Sequence, residues 1–517
     1  MKRTTLSLIA VATALAAVTG FAALTAPEEA GAPAAPARVA SRMPVERSTL
    51  LCPAPSSSEV AETVHTSYTP PGTGAASAGG GPAGAGTGGT APPVAQLRPA
   101  ADAAATGGPA GGAKRKAPKV PATVTEPGKP VTAEADGAAV PALTGAAAGS
   151  LAPGWTVQQT TAVPAGGARG LLGLTCGAPD TDFWFPAAST GKGRQDYMHL
   201  TNPDDTGAVA DIELHGPEGV LKSQYSDGIP VPARSTVPVL LSTLTTEAAA
   251  EDVTVHVTTR SGRVGAALAA ADDTHGSDWL AASADPAPGA VLPGIPADAT
   301  SVRLVAFAPG EEDADLKIQL ATATGTIVPA SAASLHVKSG MTAAVDLPDL
   351  TRGEAGSLIL GPSDPKKPAP VVAALRVVRG KGTKEEIAFI PAATPITARA
   401  TVADNRAKAS TLSLVAPGEG AQVKVTASAG SGGGEPATRT VTVKGGTTTA
   451  LTDLAPTGLK GSYALTVEKV SGGPVYAART LALPQDGIPM FTVQTLTDDR
   501  GTVEVPAARQ DLGVLDD

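Results

Sequence analysis

Residues 303–320, RLVAFAPGEEDADLKIQL, place two apolar runs on either side of a Pro-Gly turn. In the second run Leu316, Ile318 and Leu320 alternate with polar residues, which is the period-two pattern of a half-buried β-strand. The same strand–turn–strand pattern occurs in MHLTNPDDTGAVADIEL (198–214) and LSLVAPGEGAQVKVTAS (412–428). The sequence therefore predicts an all-β structure that repeats along the chain.

Three sets of markers keep nearly the same spacing. The turn prolines Pro203, Pro309 and Pro417 are 106 and 108 residues apart. The other two sets are the strand-ending leucines Leu244, Leu350 and Leu454 and the alanine pairs at 266–267, 373–374 and 477–478. About seven short strands in each repeat of about 106 residues match the size of an immunoglobulin-like β-sandwich. We expect three tandem sandwiches of this kind, at 182–288, 289–393 and 394–500.

The region before these repeats has a different composition. We interpret residues 44–181 as a degenerate fourth sandwich. It is interrupted at 70–119 by a Gly/Pro-rich insertion, which has little apolar surface to bury and is predicted to be disordered. Residues 501–517 are expected to be a C-terminal tail.

The N-terminus carries an export signal. Lys2 and Arg3 precede an apolar run at 6–24, which is the charged and apolar arrangement of a signal peptide. The run is also long enough to remain as a membrane anchor. We therefore expect 1–26 to be a cleaved signal peptide or a signal anchor, followed by a linker at 27–43. Both alternatives place the rest of the chain outside the cytoplasm, either secreted or anchored to the cell membrane.

The chain contains two cysteines, Cys52 and Cys176. Both follow the export signal, and an even pair in an oxidising compartment most simply forms a disulfide. The sequence contexts are similar, LLCPAP and LTCGAP. We predict that Cys52 and Cys176 are bonded to each other and close the degenerate sandwich.

The charge balance excludes nucleic acid as a partner. The net charge is −9 and the sequence pI is about 5.3, so the chain has no basic field to hold a phosphate backbone. Contact with a membrane is expected through the N-terminal segment only.

The sequence predicts no catalytic residues, no metal site and no cofactor. The sequence lacks a GxSxG elbow, a phosphate-binding loop and an HExxH motif. Its histidines, which show no pair at helical metal-site spacing, are His65, His199, His215, His256, His275 and His336. Acidic loop residues lack the spacing of a calcium loop and are interpreted as solvated turn residues.

Aromatic residues make up only 3% of the chain, so the position of each one helps to decide between a binding role and a packing role. Trp184, Phe185 and Trp279 are candidates for stacking on a glycan. Their recurrence at the junctions of repeats favours the other interpretation, in which they pack inside or between sandwiches.

Three segments resemble a known family. They are LLCPAP (50–55), CGAPDTDFWF (Cys176–Phe185) and HLTNPDDTGAVADIEL (His199–Leu214). They are similar to secreted, functionally uncharacterised proteins of high-GC actinobacteria that share a domain of unknown function. The resemblance implies secretion but no activity and no site.

The expected function is that of an exported, non-enzymatic cell-envelope protein with a structural, scaffold or interaction role. Its partner would be an envelope protein or a cell-wall polymer. The alternative is a module that binds carbohydrate or a cell-wall polymer, and a secreted hydrolase is a third possibility.

Overall fold

The structure is a computed structural model that describes residues 41–72, 94–102, 123–225 and 227–505. Within these residues the regular elements are β-strands and three short 3-10 helices, Gly149–Leu151, Leu241–Thr243 and Gly382–Lys384. The prediction of an all-β chain is therefore confirmed. The predicted signal or anchor at 1–26 lies outside the described residues. Within those residues, no helix has the length and apolar character needed to cross a membrane.

The strands form a two-stranded ribbon and four sandwiches. The first part of the chain contains β1 (Ser41–Pro44), β2 (Arg47–Cys52), β3 (Glu62–Tyr68), β4 (Ala95–Pro99), β5 (Ala101–Asp102), β6 (Val131–Asp136), β7 (Leu143–Ala148), β8 (Thr156–Val163) and β9 (Gly170–Thr175). The second sandwich contains β10 (Asp182–Ala188), β11 (Arg194–Thr201), β12 (Ala208–Gly216), β13 (Gly219–Leu221), β14 (Ile229–Val231), β15 (Ser235–Leu240), β16 (Val253–Ser261), β17 (Gly265–Asp272) and β18 (Gly276–Leu280).

The remaining strands form the third and fourth sandwiches. The third contains β19 (Ala290–Ile295), β20 (Ala299–Phe307), β21 (Ala314–Ala321), β22 (Thr326–Ile327), β23 (Ser334–Val337), β24 (Thr342–Asp346), β25 (Gly356–Pro362), β26 (Val372–Arg379) and β27 (Glu386–Pro391). The fourth contains β28 (Arg399–Asn405), β29 (Ser410–Ala416), β30 (Ala421–Ala427), β31 (Ala437–Val443), β32 (Thr447–Leu451), β33 (Tyr463–Gly472), β34 (Tyr476–Ala482) and β35 (Phe491–Leu496), and β36 (Thr502–Val505) follows.

All four sandwiches share one strand order. In the third, the two sheets run β19-β25-β21-β22, with β23 also on β21, and β24-β20-β26-β27. The second repeats this order as β10-β16-β12-β13, with β14 on β12, and β15-β11-β17-β18, and β5 from the first part of the chain pairs in parallel with β15. The fourth has β28-β33-β30-β31 and β32-β29-β34-β35, and the first has β2-β7-β4 and β6-β3-β8-β9. The first sandwich is thus a shorter version of the other three.

This order differs from that of an immunoglobulin domain. In an immunoglobulin domain the first two strands lie in the same sheet, whereas here β19 and β20 lie in opposite sheets. The predicted sandwiches are found, but the prediction that they have an immunoglobulin-like strand order is wrong. Alternating apolar residues reveal which face of a strand is buried, and they do not reveal which strand becomes its neighbour.

Each core lies between the two sheets of a sandwich. In the third sandwich Leu292, Ile318 and Leu358 of one sheet meet Leu304 and Leu375 of the other, and all five are fully buried. Ile318 comes from the alternating run LKIQL, whose apolar residues supply the inward face of β21.

Three predicted irregular segments contain strands. Residues 95–99, inside the predicted disordered insertion, form β4, where the side chains of Ala95 and Leu97 are buried. The prediction is therefore wrong for 94–102, because a short alternating run, AQL, lies between Gly/Pro-rich stretches. The stretches at 73–93 and 103–122 lie outside the described residues. The ribbon of β1 and β36 occupies the ends of the predicted linker and tail.

The last strands of the four sandwiches pack around one another. Strands β9, β18, β27 and β35 are each at the edge of their sheet. Strand β9 packs against β18 and β35, and β27 packs against the same two strands. The four sandwiches of residues 44–502 therefore close into a ring in which each of these four edge strands is covered by two of the others, which protects it from pairing with other chains.

Two buried carboxyl groups help to close this ring. The amide of Leu171 on β9 donates to Glu386 Oε1 at 2.9 Å, and the amide of Gly173 donates to Asp278 Oδ1 at 3.0 Å. Thr492 on β35 also donates to Asp278. Burial raises the pKa of Glu386 to about 8 and raises the pKa of Asp278 well above its usual range.

A disulfide ties the first sandwich together. Cys52 ends β2, and Cys176 follows β9 of the opposite sheet. The predicted pairing of Cys52 with Cys176 is confirmed. A structural disulfide is typical of an oxidising, extracytoplasmic compartment.

Candidate functional site

A cavity lies where the last strands of the four sandwiches end. Its volume is about 450 Å³, within the range of roughly 300–1,000 Å³ that is typical of ligand pockets. All four sandwiches contribute to its wall, which includes Cys176 and Gly177 after β9, Ala281 and Ser283 after β18, Thr394 after β27, and Leu496 and Thr497 at the end of β35. The cavity exists only because the sandwiches form a ring.

The wall combines apolar surface with hydroxyl groups and an imidazole. Thr156, Thr201 and Thr401 line it together with His199, whose ring meets Trp279 edge-on at 5.3 Å. Burial lowers the pKa of His199 to about 4. The imidazole is therefore neutral at neutral pH, with one nitrogen able to donate a hydrogen bond and the other able to accept one.

Two acidic residues of the cavity wall, Asp498 and Asp499, bind the surrounding chain. Asp498 accepts hydrogen bonds from the amides of Ala398 and Arg399 at 3.2 and 3.1 Å. Asp499 forms an ion pair with the Arg399 guanidinium and accepts from the amide of Gly501 at 2.9 Å. Burial raises the pKa of Asp499. These carboxylates fix the segments that follow the last strands and so shape the rim of the cavity.

A second cavity lies at the other end of the same strands. Its volume is about 560 Å³, and its wall comes from the turns that precede β9, β18 and β27, including Gly167, Asp273 and Thr383. It is lined by three of the four sandwiches. The first cavity is the stronger candidate because it draws residues from all four.

The proposed stacking residues lie in packed positions. Trp184 is 8% exposed, Phe185 is 0% exposed and Trp279 is 3% exposed. Phe185 belongs to the core of the second sandwich, and Trp184 packs with Phe307 and Val372 of the third. Trp279 packs with residues of the first and second sandwiches. This burial favours the packing interpretation over the stacking one.

The structure also brings together three residues that the sequence left apart. Glu213 and His215 lie on β12 and His256 on the neighbouring β16, and their ligand atoms are all within 4.8 Å of one another. Burial is the largest influence on the pKa of His215 and lowers it. The alternation of β12 places Glu213 and His215 on one face, but finding His256 requires the register of Glu213 opposite His256, which the sequence does not reveal.

Comparisons with known proteins identify a family for this chain. No curated protein and no solved structure matches it. A family profile matches residues 131–453, which cover more than half of the chain. The chain belongs to the family of unknown function DUF5719.

Proposed function

We propose that this protein is an exported, non-enzymatic interaction protein of the cell envelope. In this proposal the ring of four sandwiches is a scaffold, and the cavity at its end receives a segment of an envelope protein or of a cell-wall polymer. The observation that carries the proposal is the cavity itself, because its wall requires residues from all four sandwiches at once.

Three further observations support this function. The disulfide fits a protein that works in an oxidising compartment. The carboxylates of Asp498 and Asp499 at the cavity rim accept hydrogen bonds from backbone amides, which is a structural use of these groups. The alternative of an aromatic glycan platform loses its support because Trp184 and Trp279 are buried. In this proposal the segment at 1–26 directs export, and the chain is released or stays anchored by it.

The cavity can be filled without strain at Gly177. A Cβ atom added there meets no other atom within 4 Å, so Gly177→Phe places a ring in the cavity. Gly418 is the matched control, because its added Cβ also meets nothing and it does not line the cavity. We would measure binding of the purified chain to isolated cell-wall polymer and to solubilised envelope membranes.

The wild-type chain and Gly418→Phe should bind one of these fractions, and Gly177→Phe should lose that binding with an unchanged melting temperature. Equal binding by Gly177→Phe would remove the cavity from the proposal. A turnover reaction abolished by a point substitution would contradict the non-enzymatic role.

A further inference from the structure

Glu213, His215 and His256 share one face of a sheet. In β12 the intervening Leu214 faces the core of the second sandwich, as Val255 and Val257 do in β16. Glu213 lies directly opposite His256 in the register of the two strands. The three polar side chains therefore point away from the core, on the side where the second sandwich meets the third.

Their spacing suits a transition metal ion. His215 Nε2 lies 3.6 Å from Glu213 Oε2, and His256 Nδ1 lies 3.7 Å from the same oxygen. Ligands held at about 2.0–2.1 Å from a tetrahedral zinc ion are roughly 3.4 Å apart. Small side-chain shifts would bring the three atoms to that separation.

The ring nitrogens of His215 are buried without a hydrogen bond, and Glu213 Oε2 lies 3.6 Å from Nε2. The residue is 7% exposed. Leaving a buried polar group unpaired costs about 1–3 kcal/mol, so native structures rarely contain such a group without a reason. A metal ion at the Glu213 side of the ring would satisfy one of these nitrogens.

His256 has the second contact that metal-binding histidines usually make. Its Nε2 lies 3.3 Å from Asp182 Oδ1. A ligating histidine commonly donates its other N–H to a carboxylate, which fixes the ring orientation and the tautomer. Asp182 therefore places the free Nδ1 of His256 toward Glu213.

The other sandwiches show that packing does not require these residues. The pair of Trp184 and His256 corresponds in strand register to Val291 and Ile359 in the third sandwich and to Thr401 and Thr466 in the fourth. The positions that correspond to Glu213 are Gln319 and Thr426. Apolar, hydroxyl and amide residues are thus sufficient to form this surface, and the second sandwich differs by carrying two imidazoles and a carboxylate.

We propose that Glu213, His215 and His256 bind one Zn²⁺ ion. Two imidazole nitrogens and one carboxylate favour zinc over calcium or magnesium, which prefer oxygen ligands. The Glu213 side chain is 58% exposed, so water can occupy the fourth position. The His215 carbonyl accepts a hydrogen bond from Thr342 Oγ1 of the third sandwich at 2.6 Å, and the ion therefore stabilises the junction of these two sandwiches.

The test is zinc uptake by the full, tag-free chain in equilibrium dialysis, together with its melting temperature. Glu213→Gln is the main variant because it changes an exposed group and should leave the fold intact. Trp184 supplies an independent signal, since its ring stacks on His256 at 3.6 Å, and bound Co²⁺ should quench its fluorescence. His336→Ala is the matched control, because His336 contacts two carboxylates on an exposed surface elsewhere.

The wild-type chain and His336→Ala should each bind one Zn²⁺ ion per chain, melt at a higher temperature with zinc, and show quenching by Co²⁺. Glu213→Gln should bind zinc at least about tenfold more weakly, and Asp182→Asn should weaken binding by roughly tenfold. A folded wild-type chain that takes up no zinc would overturn the proposal. Equal zinc affinity of Glu213→Gln and the wild type would overturn it as well.

Discussion

The junctions among the last three sandwiches are built alike, whereas those made by the first sandwich are built differently. Thr342 of the third sandwich donates to the carbonyl of His215 in the second, and Thr448 of the fourth donates in the same way to Ala321 of the third, at 2.8 Å. Thr342 also contacts the Thr254 hydroxyl, and Thr448 contacts that of Ser357. The same threonine contact is therefore found at the junction of the second and third sandwiches and at that of the third and fourth.

The first sandwich instead closes the ring through buried carboxyl groups. Glu386 and Asp278, from the third and second sandwiches, accept hydrogen bonds from the amides of β9. Strand β9 is an edge strand, so these amides have no partner strand on that side. The second, third and fourth sandwiches are joined by a repeated threonine contact, whereas the first is joined to the second and third by carboxyl groups that satisfy an open strand edge.

The largest expected effect comes from the disulfide, which is found in the first sandwich. Replacing both Cys52 and Cys176 by serine should lower the free energy of unfolding by about 4–5 kcal/mol, because the bond closes a loop of 124 residues. Denaturant melts measure the loss. Amide exchange should increase most in 44–181, and a uniform increase along the chain would show that this sandwich does not depend on the bond more than the others.

The second prediction concerns pH. The pKa of Glu386 is raised to about 8 in the folded chain, against about 4.3 for a free carboxyl. The folded state therefore holds the proton of Glu386 more tightly, so the contribution of this group to stability is fully present below about pH 4.3 and is lost as the pH rises toward 8, by up to about 1.4 kcal/mol per pH unit.

Glu386→Gln provides the reference for this prediction, because its amide stays neutral. The melting temperatures of the two chains should converge near pH 5, and the wild type should melt lower at pH 9. Parallel pH profiles would contradict the buried, protonated carboxyl.

The third prediction concerns Asp278, the other buried carboxyl group. Asp278→Ala leaves the amide of Gly173 and the hydroxyl of Thr492 without their acceptor, which should cost about 1–3 kcal/mol. Asp278→Asn keeps an acceptor oxygen and should cost less. Amide exchange at 170–175 reports the effect directly, and equal losses in the two variants would show that the acceptor oxygen kept by Asp278→Asn does not contribute to stability.

The smallest effects belong to the repeated contact. Thr342→Val and Thr448→Val should each lower the free energy of unfolding by about 1 kcal/mol, because each removes one buried hydroxyl donor. Thr440→Val, at an exposed position of β31, is the control and should be neutral. Clearly different losses in the two junction variants would contradict their equivalence.

Much of the architecture can be predicted from the sequence because alternation fixes the buried face of each strand. Leu316, Ile318 and Leu320 are buried as expected, and the disulfide follows from two cysteines that both lie after the predicted export signal. The strand order cannot be predicted in this way, since it depends on contacts between distant segments. Strand β4 is missed for another reason, because the alternation of Ala95 and Leu97 is too short to be recognised among glycines and prolines.

The candidate sites could be predicted only in part. The cavity wall gathers Gly177, Ala281, Thr394 and Thr497 from four sandwiches, and no local pattern connects them. The cluster of Glu213, His215 and His256 depends on a strand register. The sequence did indicate that Trp184 and Trp279 lie at junctions of repeats, which is where they pack.

Small-angle X-ray scattering of the full chain tests whether the four sandwiches close into a compact ring. A compact arrangement of residues 44–502 corresponds to a radius of gyration of about 23 Å. Four sandwiches in a linear row, each about 100 residues long, would give about 40 Å. A closed ring should give a value near the lower figure, and a value near 40 Å would contradict it.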